Sequence, residues 1–190
     1  MAEEKFDFSI DSLGPCTIPS PIKLSTEHGD YTANYVSDDS YVISNVNVYD
    51  KTKPVVLDSS NLIEKAGPRQ NIYFDPTHAK AGICTCGGLC PGLNDVIRAI
   101  VRCLNTRYGV KTVKGYQFGF HGFFAESGYA PIELDRYLID EIHKIGGTYL
   151  GTSRGGGQRV SEIVDCLERD GINMLFILGG DGTQRGSYDI

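Results

Sequence analysis

The sequence predicts an α/β fold: an open, mainly parallel sheet carrying helices, preceded by an irregular extension with short β pieces. Three observations predict it. Apolar runs of strand length alternate with stretches whose apolar residues recur every three or four positions, the order expected of successive βαβ units. Glycine and proline divide the chain, with twenty of the 23 glycines after residue 80 and six of the eight prolines before residue 77. Three glycine-rich segments, at 87–94, 152–159 and 179–183, each follow a strand-like run.

The boundary falls near residue 70, giving an extension over 1–70 and a compact region over 71–190. In the extension, Asp38-Asp-Ser reads as a turn, and Val42, Val46, Val48, Val55 and Val56 as short β pieces, with period-two alternation over 45–48. Pro54 and Pro68 confine any such strands to an edge. No residue of the extension carries recognisable chemistry.

The compact region opens near Ile72. Ala81 to Cys86 form a first strand, small and apolar, and a helix follows with Val96, Ile97, Ile100, Val101 and Leu104 on one stripe. Asn94 or Asp95 can cap that helix, and Asn105 and Gly109 close it. Lys111 to Gln117 make a second strand, leading into the aromatic loop 118–124. A helix is expected over 135–144, with Leu138, Ile139, Ile142 and Ile145 inward, then a short strand over 146–151. Val160, Ile163, Val164 and Leu167 mark a further helix stopped by Gly171. Asn173 to Leu178 form a strand apolar enough to be buried on both faces, and Gln184 begins the next helix.

Composition excludes several classes of function. A hydrophobic share of 41% and a charged share of 22% suit a globular chain of 190 residues with one domain, or one and a fraction. A formal charge of −6 argues against nucleic acid as partner. No run is long enough for a membrane span, and the start Met1-Ala-Glu-Glu-Lys lacks a signal peptide's basic and apolar parts, so a cytoplasmic location is expected. The six cysteines are then reduced thiols. Cys84, Cys86 and Cys90 form a C-x-C-x3-C pattern, but no second Cys/His pair follows to complete a zinc site, which favours small thiols in a strand and loop.

The three glycine-rich segments carry the chemistry. In an open parallel sheet ligands collect beyond the carboxyl ends of the strands, which would bring these loops to one edge. Gly87, Gly180 and Gly182 let backbone N–H groups approach phosphate oxygens, Asp181 offers one hard carboxylate oxygen to a phosphate-bridging Mg²⁺, and Thr183 adds a hydroxyl. Alone, GGDGT at 179–183 is equally a tight turn leaving a strand. Arg154, beside Gly155, can span two phosphoryl oxygens; Arg159 is the weaker candidate, being a first-turn helix residue. His121 reads as a packing or surface residue before an acid–base group. Phe118, Phe120, Phe123 and Phe124 could meet a base or fill a core.

Together GGLCPGLNDVIR at 87–98, GGTYLGTSR at 146–154 and GGDGTQRG at 179–186 resemble 6-phosphofructokinase, most closely the ATP-using, long-chain type of plants and protists; residues 66–69 and 72–76 resemble that type's approach to the domain. The resemblance covers roughly 62–190. It implies a three-layer, Rossmann-like fold and transfer of the γ-phosphoryl group of ATP to the 1-hydroxyl of fructose 6-phosphate with Mg²⁺. By position it puts Gly87 against the ATP phosphates, Arg154 and Gly155 at the transferring group, 180–183 along the nucleotide, and Asp181 on Mg²⁺. Phe120 stands where many relatives carry tyrosine. Gly182 stands where pyrophosphate-using relatives carry aspartate, whose carboxylate would repel the α-phosphate, so the resemblance favours ATP.

Such relatives continue into a motif like Thr-Ile-Asp-Asn-Asp, whose aspartate deprotonates the sugar hydroxyl, and into a second domain for the sugar phosphate. Residues 1–190 hold neither. The resemblance therefore implies an N-terminal portion, inactive and poorly soluble alone, of an enzyme that is a homo-oligomer when complete. The alternatives are a pyrophosphate-dependent relative, a non-catalytic nucleotide-binding module, or an NAD or lipid kinase with its own GGDGT. Against the last stand the 87–94 and 152–154 segments.

Overall fold

A computed structural model describes residues 6–27, 29–47, 51–52, 54–55 and 57–190. The chain divides into two compact units, one ending at Phe74 and the other beginning at Asp75.

The first unit holds two small antiparallel pairs. β1 (Ile18–Pro19) pairs with β4 (Asn71–Ile72), and β2 (Tyr41–Ile43) with β3 (Leu62–Glu64). The turn at 38–39 leads into β2, which contains Val42 as expected. The β pieces expected at Val46 and Val55 are absent: both side chains are exposed, with no partner strand to satisfy the backbone. Val48 and Val56 lie outside the described residues, as does the segment Met1 to Lys5. Arg69 fastens this unit, donating to Ser37 O (2.5 Å), Lys65 O (2.7 Å) and Glu64 (2.8 Å).

The second unit is built on one mixed sheet. Its strands are β5 (Lys80–Thr85), β6 (Thr112–Tyr116), β7 (Ile132–Glu133) and β8 (Met174–Leu178), in the order β7-β6-β5-β8. β5 pairs parallel with β6 and β8, whereas β7 runs antiparallel to β6. β5 is central, and Ala81 to Thr85 are all buried. β8 is half-buried along its length rather than buried on both faces, because among the described strands it has a neighbour on one side only.

Period-two alternation sends successive side chains of β5 and β6 to opposite faces. Cys84, Cys86 and Tyr116 pack on one face with Phe123 and with Ile163 and Cys166 of α2 (Val160–Asp170). The Tyr116 hydroxyl donates to Asp170 (2.9 Å), with Lys114 Nζ 3.4 Å from the same carboxylate. Burial pushes the Tyr116 hydroxyl's pKa up, and Asp170 pushes it further. On the other face Gly115 leaves space for Leu150 and Leu134; a Cβ there would stand 2.4 Å from Leu150 Cδ2. One face of the sheet is thus covered by α2, the other by the side chains of Leu134 and Leu150.

α1 (Leu93–Arg102) buries Ile97 and Val101 as its periodicity requires, but Val96 is exposed, lying off the buried stripe. Neither Asn94 nor Asp95 caps it, since the helix begins at Leu93 with Gly92 in the cap position at φ 88°. A π-helical turn, Cys103–Tyr108, extends α1 to Gly109, whose φ of 76° ends it, and Asn105 Nδ2 donates to Val110 O.

The largest departure from expectation lies between 135 and 151. Only one 3-10 turn, Ile142–Lys144, forms where a helix was expected. Ile139 and Ile142 are buried, but Leu138 and Ile145 are exposed. Asp135 Oδ1 accepts from the N–H groups of both Tyr137 and Leu138 at 2.8 Å, and Asp140 O accepts from Arg98 Nε. These tertiary and side-chain bonds replace a helical ladder too short to nucleate cheaply. The strand expected at 146–151 is also absent. β7 already occupies that edge of β6, and Gly147 and Gly151 have φ of 82° and 67°, incompatible with extended backbone. Asn94, 3% exposed, takes over instead: its Nδ2 donates to Ile145 O (2.9 Å) and its Oδ1 accepts from Tyr149 N–H (2.6 Å).

Asn94→Ala should therefore lower unfolding free energy by about 1–3 kcal/mol, since the buried amide's two part-buried hydrogen bonds are lost. Asn94→Asp should do no better, because it sets a carboxylate against the Ile145 carbonyl. Urea midpoints measure both, and a shift no larger than that of a surface substitution would exclude the clamp.

Candidate active site

The parallel run of β5 and β8 delivers two of the glycine-rich segments to one sheet edge, because both follow the carboxyl ends of strands. The third, 152–159, follows no strand and arrives by hydrogen bonds. Thr85 Oγ1 donates to Gly151 O (2.6 Å), Thr152 Oγ1 to Gly87 O (2.9 Å), Gly87 N–H to Ser153 O (2.8 Å) and Ser153 Oγ to Phe118 O (2.5 Å). The loop bearing Arg154 is thus stitched to both the end of β5 and the turn after β6.

These segments enclose an open cleft of 550 Å³. Gly87, Arg154, Gly155, Gly180, Asp181, Gly182 and Thr183 all line it. α3 begins at Asp181 and runs to Asp189, three residues earlier than the expected start at Gln184. Its cap, Gly180, offers no side chain, and its first intrahelical bond is Gln184 N–H to Gly180 O. The N–H groups of the first turn consequently lack helical acceptors, and their end of the helix carries partial positive charge. Thr183 is 6% exposed and folded inward. A Cβ at Gly179 would stand 2.3 Å from its Oγ1, and one at Gly87 3.7 Å. The 179–183 turn is therefore close-packed on its inner side and bare on its outer side, where a Cβ at Gly182 would meet nothing within 4 Å.

Arg154 is exposed and makes no ion pair among the described residues. Arg159 is committed elsewhere: it pairs with Glu126 (2.5 Å) and Glu162, and its guanidinium stacks 3.7 Å above the Phe124 ring. His121 is exposed, packed beside Phe124, and does not line the cleft. Of the four phenylalanines only Phe120 lines it, while Phe123 and Phe124 are buried in the core. Among the described residues no three His, Cys, Asp or Glu side chains gather as metal ligands.

Sequence reasoning missed Arg185, Asp189 and Gln158, which line the same cleft. Arg185 and Asp189 stand four and eight residues after Asp181, so all three share a face of α3. That spacing was legible once the helix was known to start at Asp181. Without that start the three read as unrelated surface charges.

The profile of the family described as Phosphofructokinase matches residues 80–190, more than half of the chain and all of this sheet and cleft. The chain belongs to the phosphofructokinase family. It is similar to the ATP-dependent 6-phosphofructokinase of Borreliella burgdorferi, with 48% identity over 97% of this chain and 40% of that protein. It is also similar to that of Trypanosoma cruzi, with 51% identity over 68% of this chain and 26% of that protein. A crystal structure of Pichia pastoris phosphofructokinase in the T-state superposes with a TM-score of 0.52 at 27% identity, covering 67% of this chain and 14% of the other. The fold is the Rossmann-like α/β arrangement of that family. The chain spans less than half the length of the curated relatives it matches. Among the described residues, no helix is long and apolar enough to cross a membrane.

Two glycines of this phosphofructokinase-family turn should respond oppositely to one methyl group. Gly179→Ala forces the turn off Thr183 and should cost about 1–3 kcal/mol. Gly182→Ala adds a methyl in open space inside a helix and should stabilise by up to about 1 kcal/mol. Unfolding midpoints of the two variants read the contrast; equal shifts would contradict the packing described.

Proposed function

We propose that residues 75–190 form the nucleotide-binding part of an enzyme that transfers the γ-phosphoryl group of ATP to the 1-hydroxyl of fructose 6-phosphate. The observation carrying this reading is the convergence, in one cleft, of Arg154 without an ion pair, the exposed carboxylate of Asp181 and the open N-terminal turn of α3. The relatives' name, ATP-dependent 6-phosphofructokinase, supports the same reaction.

The chemistry divides among the residues. The N–H groups at the start of α3 and the 87–88 backbone bind and orient the polyphosphate. Arg154, free of any carboxylate, follows negative charge as the phosphoryl group moves from leaving to attacking oxygen. Asp181 is an exposed, unpaired hard-oxygen donor beside that phosphate site and would hold a Mg²⁺ there. When bound, Mg²⁺ would neutralise phosphate charge there. Gly182 leaves open the space that an aspartate would fill, which favours ATP over pyrophosphate.

The cleft's only carboxylates among the described residues are Asp181 and Asp189. Asp181 is taken by the metal role, and Asp189 lies about 12 Å along the helix axis from it at 1.5 Å per residue. As the resemblance implies, the base that deprotonates the sugar hydroxyl is the aspartate of the family's Thr-Ile-Asp-Asn-Asp-like motif, which residues 1–190 do not contain, and these residues alone would bind nucleotide without turnover. A cytoplasmic, homo-oligomeric enzyme completes the proposal.

A coupled assay on the complete open reading frame, with fructose 6-phosphate and either ATP or pyrophosphate, tests it. ATP-driven turnover is expected; turnover with pyrophosphate alone would overturn the donor assignment. Arg154→Lys and Asp181→Asn should each lower kcat by about 10²–10³-fold, the loss typical of one charge-stabilising group. Gly182→Asp should raise the KM for ATP at least tenfold while leaving the fold intact.

A further inference from the structure

Phosphoryl transfer leaves two neighbouring thiols without a role, one lining the cleft and one buried behind it. Cys84 lies in β5 and Cys86 just beyond its end, and period two puts both side chains on one face. Their sulfurs are 3.9 Å apart. Cys84 is wholly buried, while Cys86, 5% exposed, lines the cleft beside Gly87.

The backbone builds a seat for the Cys86 sulfur. Phe118 stands in the left-handed region at φ 56°, costly for a bulky residue, and Gly119 follows at 63°. This double turn brings Gly119 against the sulfur, where a Cβ would come within 3.1 Å. Phe118 is held in place by its N–H to Leu150 O (2.9 Å) and by Ser153 Oγ to its carbonyl (2.5 Å). The Cys84 S–H and the Phe120 N–H both favour the Cys86 thiolate, against burial, and lower its pKa. Contact with Cys86, then burial, keep Cys84 protonated. One sulfur is thus disposed to attack and its neighbour to hold a proton.

We propose that Cys86 is a peroxide-reactive thiol of the nucleotide cleft, with Cys84 as its resolving partner, so that oxidation forms a Cys84–Cys86 disulfide and weakens nucleotide binding. The Cys86 thiolate attacks one oxygen of a hydroperoxide; an S–O bond forms, the O–O bond breaks, and the other oxygen leaves as alkoxide or hydroxide and takes a proton. Cys84 sulfur then attacks Cys86 sulfur; the S–S bond forms, the S–O bond breaks, and the hydroxyl departs as water with the Cys84 proton. Two thiols lose two electrons and the peroxide gains them.

Closing the sulfurs from 3.9 Å to about 2 Å must draw in the backbone at 84–86. There Cys86 N–H holds Leu178 O (2.8 Å) and Gly87 N–H holds Ser153 O (2.8 Å), so the distortion reaches all three cleft segments. The effect on nucleotide rests on the proposed function; the thiol chemistry does not.

The complete protein is treated with a few equivalents of hydrogen peroxide, alkylated and digested with trypsin. Cys84, Cys86 and Cys90 share the peptide 81–98, so fragmentation must locate the bond. A 2 Da loss between Cys84 and Cys86 with Cys90 still alkylated is expected, and Cys84→Ser should stop the reaction at a dimedone-trapped Cys86. Intact thiols at excess peroxide, or a Cys86–Cys90 bond, would overturn the proposal in wild-type protein. Binding of a fluorescent ATP analogue should weaken at least tenfold on oxidation and recover with dithiothreitol; unchanged binding would overturn the regulatory half. Failure of the reduced protein to bind ATP would instead sink the functional reading, leaving the mapped disulfide to decide the thiol proposal.

Discussion

The geometry of the cleft depends on a small set of buried polar side chains at the end of β5 and the start of α1. Thr85 is wholly buried and Asn94 nearly so, and every polar atom of theirs that would otherwise be stranded meets a backbone or hydroxyl group of 145–151. Buried polar groups are tolerable only when paired, and once paired they specify one arrangement, because any slip leaves a donor or acceptor unsatisfied. This is how a segment without strand pairing is held as firmly as a strand. Removing it would release the loop that carries Arg154 from the edge where Gly87 and Asp181 wait.

Glycine serves two separate needs at this edge. On the packed side, Gly179 is required because Thr183 occupies the space a Cβ would take. On the open side, Gly182 and Gly88 leave bare backbone with no neighbour within 4 Å of a Cβ. A polyanion approaching from solvent meets N–H groups rather than side chains, and meets arginines not already neutralised by carboxylates. Arg159 illustrates the contrast: two glutamates and an aromatic ring hold it, so its charge is spent on the protein itself.

Much of the scaffold was legible in advance, and the reasons are local. Ala81 to Cys86, Lys111 to Gln117 and Asn173 to Leu178 read as strands because each is a short run of strand length that leads into a loop or turn, the first and last of them largely apolar. Ile97 and Val101, and Ile163 and Leu167, fall on single helical stripes. The errors are equally specific. Leu138, Ile139, Ile142 and Ile145 mimic a helical stripe, yet half of them face solvent because Asp135 and Arg98 divert the backbone into turns. Asn94 sits where a cap belongs but reaches across to Ile145 and Tyr149, about fifty residues on. β7, two residues long, leaves no periodicity to detect.

The sequence by itself determined the α/β class and the strands that carry two of the three glycine-rich segments, while the resemblance singled out the seven residues that meet in the cleft. The class and the strands follow from periodicity and from glycine spacing, which act over a few neighbouring residues. Only the tertiary structure decided how the Arg154 loop reaches the site, that Arg159 is neutralised while Arg154 is not, and that Arg185 and Asp189 face the same space as Asp181. Each of these turns on a hydrogen bond, an ion pair or a helix start set by residues distant along the chain. Such pairings are chosen by whichever buried polar group would otherwise go unsatisfied, and no local pattern records that choice.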